Sequence, residues 1–236
     1  MSRLAVVSGG GTGIGAAIAR TLTADGYEVA VIGRRLEPLE SVKGAQAIRA
    51  DLRDPAAMAG VAEALGDREI DVLVNNAGGY IGRSTDDIGA IAQQWRDTFE
   101  TNVMTAVLLT ETLLPRVRRP GGRILLFSSI AAQRGGAGPY SAAKAALHGW
   151  ALDLATQLGP EGVTANVISP GYIADTEFFG GRMTPEGHAS RVNATLVGRA
   201  GEPDDIAQAV RWLTGPNSGY VTGQIINVNG GSVLGR

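Results

Sequence analysis

The chain has 236 residues, 44% hydrophobic and 19% charged, enough apolar material for a sizeable core and too much for a disordered chain. It has no cysteine, two histidines (His148 and His188) and a formal net charge of −2. These counts exclude disulfides, thiolate metal sites and a cysteine nucleophile, make a histidine-rich metal site improbable and leave no basic footprint for nucleic acid. The first apolar run, Leu4–Val7, is cut off by Ser8 and three glycines, too short for a secretory or membrane segment. A soluble cytoplasmic protein without a membrane partner is expected.

In chain order, β-branched runs fall at Leu4–Val7, Val29–Ile32, Val72–Val74, Ile124–Phe127, Val163–Ile168 and Ile225–Val228. Between them, helical spacing marks Ile14–Leu22, Met58–Leu65, Ile91–Leu114 and Ala142–Leu158. Continuous apolar strands separated by helices predict parallel strands covered on both faces, an α/β doubly wound sheet. No repeat or linker divides the chain, so residues 1–236 read as one domain.

The first strand runs into Ser8-Gly9-Gly10-Gly11-Thr12-Gly13-Ile14-Gly15. Residues without side chains let a pyrophosphate approach the backbone, and the N–H groups and dipole of the following helix favour its charge. The spacing G-x-x-x-G-x-G differs from the commonest dinucleotide fingerprint, and the alternative is a turn that binds nothing. The second strand ends Val31-Ile32-Gly33-Arg34-Arg35. An acidic residue here would bond the adenosine ribose of NAD. Gly33 instead leaves room for a 2′-phosphate, and Arg34 or Arg35 can grip it with a guanidinium fork. The alternative is that both arginines are solvated loop residues.

Further on, Tyr140-Ser141-Ala142-Ala143-Lys144 puts a phenol and an ammonium one helical turn apart on one face. With five tyrosines and only two lysines, chance supplies about 0.04 such pairs. A nearby cation favours the phenolate and brings proton exchange toward neutral pH.

Together with Asn75-Asn76-Ala77-Gly78, Asn102, Ser128-Ser129, Pro170-Gly171, Thr222-Gly223-Gln224 and Gly230-Gly231, these motifs span the whole chain, and it resembles the short-chain dehydrogenase/reductase family. The resemblance implies a Rossmann-type sheet of seven parallel strands, a nicotinamide cofactor and hydride transfer at a carbonyl carbon; Gly33, Arg34 and Arg35 make NADP(H) the expected form. It further implies that Tyr140 is the proton donor in reduction and that Lys144 lowers its pKa and holds the nicotinamide ribose. A serine would hydrogen-bond the substrate oxygen, and Asn102 would hold a water that relays protons to Lys144. The cofactor would contact Gly9, Gly11, Thr12, Gly13, Ile14 and Gly15 in the loop, Arg34 and Arg35, then Asp51 and Leu52 at the adenine. Asn76, Ala77 and Gly78, with Pro170, Gly171 and Ile173, would complete its bed.

Three departures from the family pattern stand out. Ser8 replaces a usual threonine. The apolar run Ile130-Ala131-Ala132 after it favours Ser129 as the catalytic serine, but it lies eleven residues before Tyr140 rather than the common thirteen, which keeps Ser128 open. Thr176 is one residue late for a carboxamide contact. The stretch from Asp175 to about Gly201, with Phe178-Phe179-Gly180-Gly181, reads either as a substrate lid with glycine hinges or as a helix docking two phenylalanines. Arg116, Arg118, Arg119 and Arg123 either complement a helix end or dock an acidic carrier bearing the substrate. The expected activity is reduction of a ketone or β-ketoacyl group by a homotetramer. The alternatives are a non-catalytic NADP(H)-sensing protein, or imine or enoyl reduction on the same scaffold.

Overall fold

The computed structural model describes residues 3–82, 87–174, 176–179, 181 and 183–235, with only the backbone of Phe179. Strands β1 (Arg3–Ser8), β2 (Tyr27–Gly33), β3 (Ala45–Arg49), β4 (Val72–Asn75), β5 (Arg123–Phe127), β6 (Thr164–Pro170) and β7 (Ile225–Val228) form one sheet in the order 3-2-1-4-5-6-7. Every pairing is parallel. The helices are α1 (Gly13–Ala24), α2 (Leu36–Glu40), α3 (Ala57–Leu65), α4 (Ile88–Phe99), α5 (Thr105–Leu113), α6 (Ala131–Arg134), α7 (Pro139–Leu158), α8 (Pro185–Asn193) and α9 (Pro203–Thr214).

The alternation of side chains along each strand divides the core in two. Leu4 and Val6 of β1 join Leu73, Ile124 and Val167 beneath α3, α5 and α7. Ala5 and Val7 face the other way, with Val74, Leu125 and Ile168, against Ile18 of α1 and Val210 of α9. Each fully buried Val, Leu or Ile side chain among these contributes roughly 1.5–3 kcal/mol. This two-faced burial explains why the strands read as unbroken apolar runs. The two edge strands depart from this: β3 buries only Ile48 and no run marks it, whereas β7 buries none of its residues and is marked by Ile225, Ile226 and Val228 all the same.

The expected helix Ile91–Leu114 is interrupted. Residues Glu100–Met104 form a π-turn between α4 and α5. Its cause is local: Asn102 Nδ2 donates to the Thr98 carbonyl at 3.0 Å, the acceptor its own backbone N–H would use in an α-helix.

The arginine cluster is not a free docking patch. Arg118 pairs with Glu69 (3.0 Å) and Asp71 (2.6 Å), and Arg119 with Glu161 (2.6 Å). Arg116 donates to the carbonyls of Ala62 and Gly66, and the buried Arg123 to those of Gly121 and Gly122. Arg123 opens β5, so the cluster lies at the N-terminal edge of the sheet, away from the carboxyl ends. It ties the loops of that edge together, and the carrier-docking reading of these four residues is corrected accordingly. Among the described residues, no helix is long and apolar enough to cross a membrane.

Candidate active site

The chain leaves β1 toward β2 on one side and returns to β4 on the other, which opens a crevice at the carboxyl ends of the strands. A cleft of about 1270 Å³ fills it. All the expected site residues line this cleft except Asn102, which is buried behind its wall.

The glycine loop is shaped by contact as much as by conformation. A Cβ on Gly15 would lie 2.1 Å from the Gly9 carbonyl oxygen, and one on Gly10 would lie 2.6 Å from Val31 Cγ1. Gly9 takes φ +63°, open to glycine at no steric cost. Ser8 locks the loop to β4: its hydroxyl donates to the Val74 carbonyl and accepts from the N–H groups of Asn76 and Ala77, each at 3.0 Å. The Asn76 amide donates to the carbonyls of Ser8 and Gly9 at 3.1 and 3.2 Å. Asn76 therefore braces the loop with its side chain and offers the cleft its backbone.

At the nucleoside end, Gly33 ends β2 and a Cβ there would come no closer than 3.5 Å to Leu39. Arg34 is exposed on the cleft rim. Asp51 is held by Arg53 at 2.6 Å, which, with a smaller pull from Arg34, lowers its carboxyl to about 2. The acid expected to lie beside the adenine is thus already neutralised by a residue of its own loop. An open glycine cradle, a helix N-terminus and a rim arginine fit a phosphorylated dinucleotide.

At the other end, Tyr140 and Lys144 project from α7 into the floor, both buried. The Ser129 side chain lies beside the Tyr140 hydroxyl and pulls its pKa down. Lys144 Nζ donates to the Phe127 carbonyl at 2.8 Å and lies 5.8 Å from the Tyr140 ring centre. Burial dominates both titrations. It pushes Tyr140 up to about 12, against a smaller opposing effect of Ser129, and pushes Lys144 down to about 8. The expected lowering of the phenol by the ammonium is not seen in this arrangement: burial raises it, and the opposing effect comes from Ser129. The phenol stays protonated at neutral pH, as a proton donor must.

The two serines separate cleanly. Ser128 turns into the protein, donating to the Lys144 carbonyl at 2.8 Å with His148 Nε2 at 2.7 Å. A hydroxyl has one proton, so the network assigns the His148 Nε2–H as the donor in the second bond. Ser129 faces the cleft. The short connection to Tyr140 is made by α6 and by Gly135, Gly136 and Gly138, all at positive φ.

Asn102 positions and does not line. Its amide donates to the Gly79 carbonyl at 2.9 Å and accepts from the Gly79 N–H at 3.0 Å. With the Thr98 bond, both ends of the amide have protein partners, which fixes the side chain behind the cleft wall. A Cβ on Gly78 would lie 2.7 Å from Asn102 Oδ1 and 3.0 Å from Lys144 Nζ, which is why a glycine stands there.

A family model described as Enoyl-(Acyl carrier protein) reductase matches residues 9–232. The chain is 38% identical over 242 residues to an acetoacetyl-CoA reductase of Rhizobium meliloti, covering 98% of both chains. Among solved structures, it superposes with a TM-score of 0.88 on a mutant short-chain dehydrogenase/reductase of Serratia marcescens, at 31% identity over 98% of this chain and 97% of that one. A mutant actinorhodin polyketide ketoreductase solved with NADPH gives 0.84 at 31% identity, covering 98% and 97%. The chain belongs to the short-chain dehydrogenase/reductase family.

Membership makes the remaining features of the cleft legible as parts of a short-chain dehydrogenase/reductase. Tyr80 meets the Tyr140 ring edge-on at 5.9 Å, and Phe178 lies 5.7 Å from it. Phe178 therefore sits over the candidate proton donor and is not docked in the core. In the stretch from 175 to 201, Asp175 and the hinge position Gly180 lie outside the described residues. The rest is a 3-10 turn at Glu177–Phe179, α8, and a return to Gly201, which pairs with Ile173. The Thr176 hydroxyl reaches the Ile173 carbonyl at 3.4 Å while its methyl faces Gly13, at the phosphate end of the cleft. Sequence reasoning missed Gly10, Gly79, Arg53 and Glu177. Gly10 was visible in the glycine run; the others act through partners that no local pattern reveals.

Proposed function

We propose that this chain is an NADPH-dependent reductase of ketone or β-ketoacyl groups, working in the cytoplasm. The observation that carries this is one cleft with Ser129, Tyr140 and Lys144 at one end and Gly33 with Arg34 at the other. Bound NADPH supplies the hydride to the carbonyl carbon. In this reading Ser129 donates a hydrogen bond to the carbonyl oxygen as negative charge grows there, and Tyr140 hands that oxygen its proton. Lys144, charged below about pH 8, steadies the negative phenol left behind. Asn102 keeps Gly79, and so Tyr80, against the reacting end. Tyr80 and Phe178 keep water from the proton donor.

The test is a panel of simple ketones, β-ketoacyl thioesters and enoyl thioesters with NADPH and NADH, followed by cofactor absorbance. Turnover of the carbonyl compounds with NADPH supports the proposal. Turnover of enoyl thioesters alone, or nucleotide binding with no turnover, overturns it.

Ser129→Ala is expected to lower kcat about 10²–10³-fold, the usual cost of an oxyanion donor. Ser128→Ala should change kcat less than about tenfold but cost roughly 1–3 kcal/mol of stability, because it strips a buried hydrogen-bond partner from His148. Paired kinetics and thermal melts check this; equal small losses in kcat would move the role to another group.

A homotetramer is proposed on the surface evidence. Trp95 on α4 is 44% exposed, Leu152 on α7 54%, and Ile225 on the edge strand β7 38%. Apolar helix faces and an open strand edge suit self-complementary two-fold contacts. Light scattering at micromolar concentration should return four times the chain mass, and a monomer refutes the assembly.

A further inference from the structure

Three groups from distant parts of the chain meet at the phosphate end of the cleft. Glu177 is ion-paired with Arg35, and its Oε2 also accepts from the Thr12 hydroxyl at 3.3 Å. Thr12 is the N-cap of α1, yet its side chain makes no capping bond. The carboxylate thus stands off the N-terminus of a twelve-residue helix, in contact with one of the two arginines placed to grip a phosphate. Thr176 lies over Gly13 in the same loop, so this turn crosses the anion cradle.

We propose that Glu177 is a built-in competitor for the cofactor's phosphates, a determinant of NADP(H) affinity that bound nucleotide displaces from Arg35 and Thr12. The inference rests on the reading of Arg34 and Arg35 as the 2′-phosphate grip. Side chains of Arg35 and Glu177 are 61% and 59% exposed, and an exposed pair of this kind shifts an equilibrium only a few-fold. A phosphate offers more charge and more acceptor oxygens to the same arginine. The phosphate therefore wins, at an affinity reduced by the cost of turning the carboxylate out. Once phosphate is bound, like charge keeps Glu177 away. The displacement does not stay local: Phe178, the next residue, covers Tyr140. Entry of the nucleotide at one end of the cleft therefore bears on the turn that carries the aromatic cover at the other.

Calorimetric titration of the purified full chain with 2′,5′-ADP and with ADP tests this without turnover. Wild-type protein should bind 2′,5′-ADP more tightly than ADP. E177Q should bind 2′,5′-ADP about three- to tenfold more tightly than wild type, given the usual size of exposed ion pairs and helix-terminus anions. The gain should shrink as salt is raised. E177A, which brings no new hydrogen bond, should reproduce it. Unchanged or weaker binding by both variants overturns the proposal, weaker binding showing that Glu177 instead clasps the nucleotide. Wild-type protein that binds the two nucleotides equally overturns the phosphate-grip reading itself, a different failure seen before any variant is made.

Discussion

Tyr140→Phe is expected to lower kcat by about 10²–10⁴-fold, the range of a lost general acid, while the NADPH dissociation constant changes less than about threefold. The substitution removes one oxygen from a buried ring wedged between Tyr80 and Phe178, so it takes away the proton without disturbing the packing. The pH profile adds a second check. With Tyr140 pushed up to about 12 by burial, the donor is protonated throughout the physiological range, and its titration does not shape the profile. Lys144, pushed down to about 8, does. Below about pH 8 it is charged and stabilises the phenolate left by proton transfer; above, it is neutral and the stabilisation is lost. Reduction by the wild-type chain should therefore hold steady below about pH 8 and fall above it. Stopped-flow and steady-state kinetics measure both. Activity within tenfold of wild type in Tyr140→Phe would show that the proton comes from elsewhere.

Gly33→Asp combined with Arg34→Ile should reverse the cofactor preference. Gly33 has an ordinary backbone angle and room beside Leu39, so an aspartate fits and can bond the ribose hydroxyls of NAD. Arg34 is exposed, and no hydrogen bond or ion pair engages its side chain among the described residues. Its charge-assisted bonds to a 2′-phosphate are worth roughly 1.5–3 kcal/mol, one to two orders of magnitude in affinity. Because Arg35 remains, the double variant should keep a weak hold on NADPH while kcat/KM with NADH overtakes it. Ratios of kcat/KM for the two cofactors decide the matter. A parent chain that already works as well with NADH sinks the assignment of Arg34.

Much of this was written in the sequence in forms that single residues can carry. The buried strands announce themselves because both faces of the sheet are covered; β3 does not, because Ala45, Gln46 and Arg49 stay at least partly exposed. The Tyr140–Lys144 pair is legible because one helical turn fixes its geometry. The choice between Ser128 and Ser129 is not, since adjacent residues at a strand end point opposite ways and the spacing to Tyr140 is unusual. The arginines before β5 misled because a run of like charge looks solvated until Glu69, Asp71 and Glu161 are brought beside it. Glu177 lies 142 residues from Arg35, and only the fold introduces them.

The π-turn has a mechanical consequence for the whole helix. Upstream of it, α4 buries only Thr98; downstream, α5 buries Thr105, Ala106, Leu109, Thr110 and Leu113. An extra residue in a helical turn advances the phase of everything beyond it by about 100°. That offset lets one continuous rod show Trp95 to the outside and, about four turns later, pack Leu109 wholly inside. Removing a single residue between 100 and 104 would realign the two halves, so that either Asn102 loses Gly79 or Trp95 rotates off the outer face. The alignment of the candidate catalytic floor and the orientation of the outer face that carries Trp95 are thus indexed to each other, like two gears on one shaft.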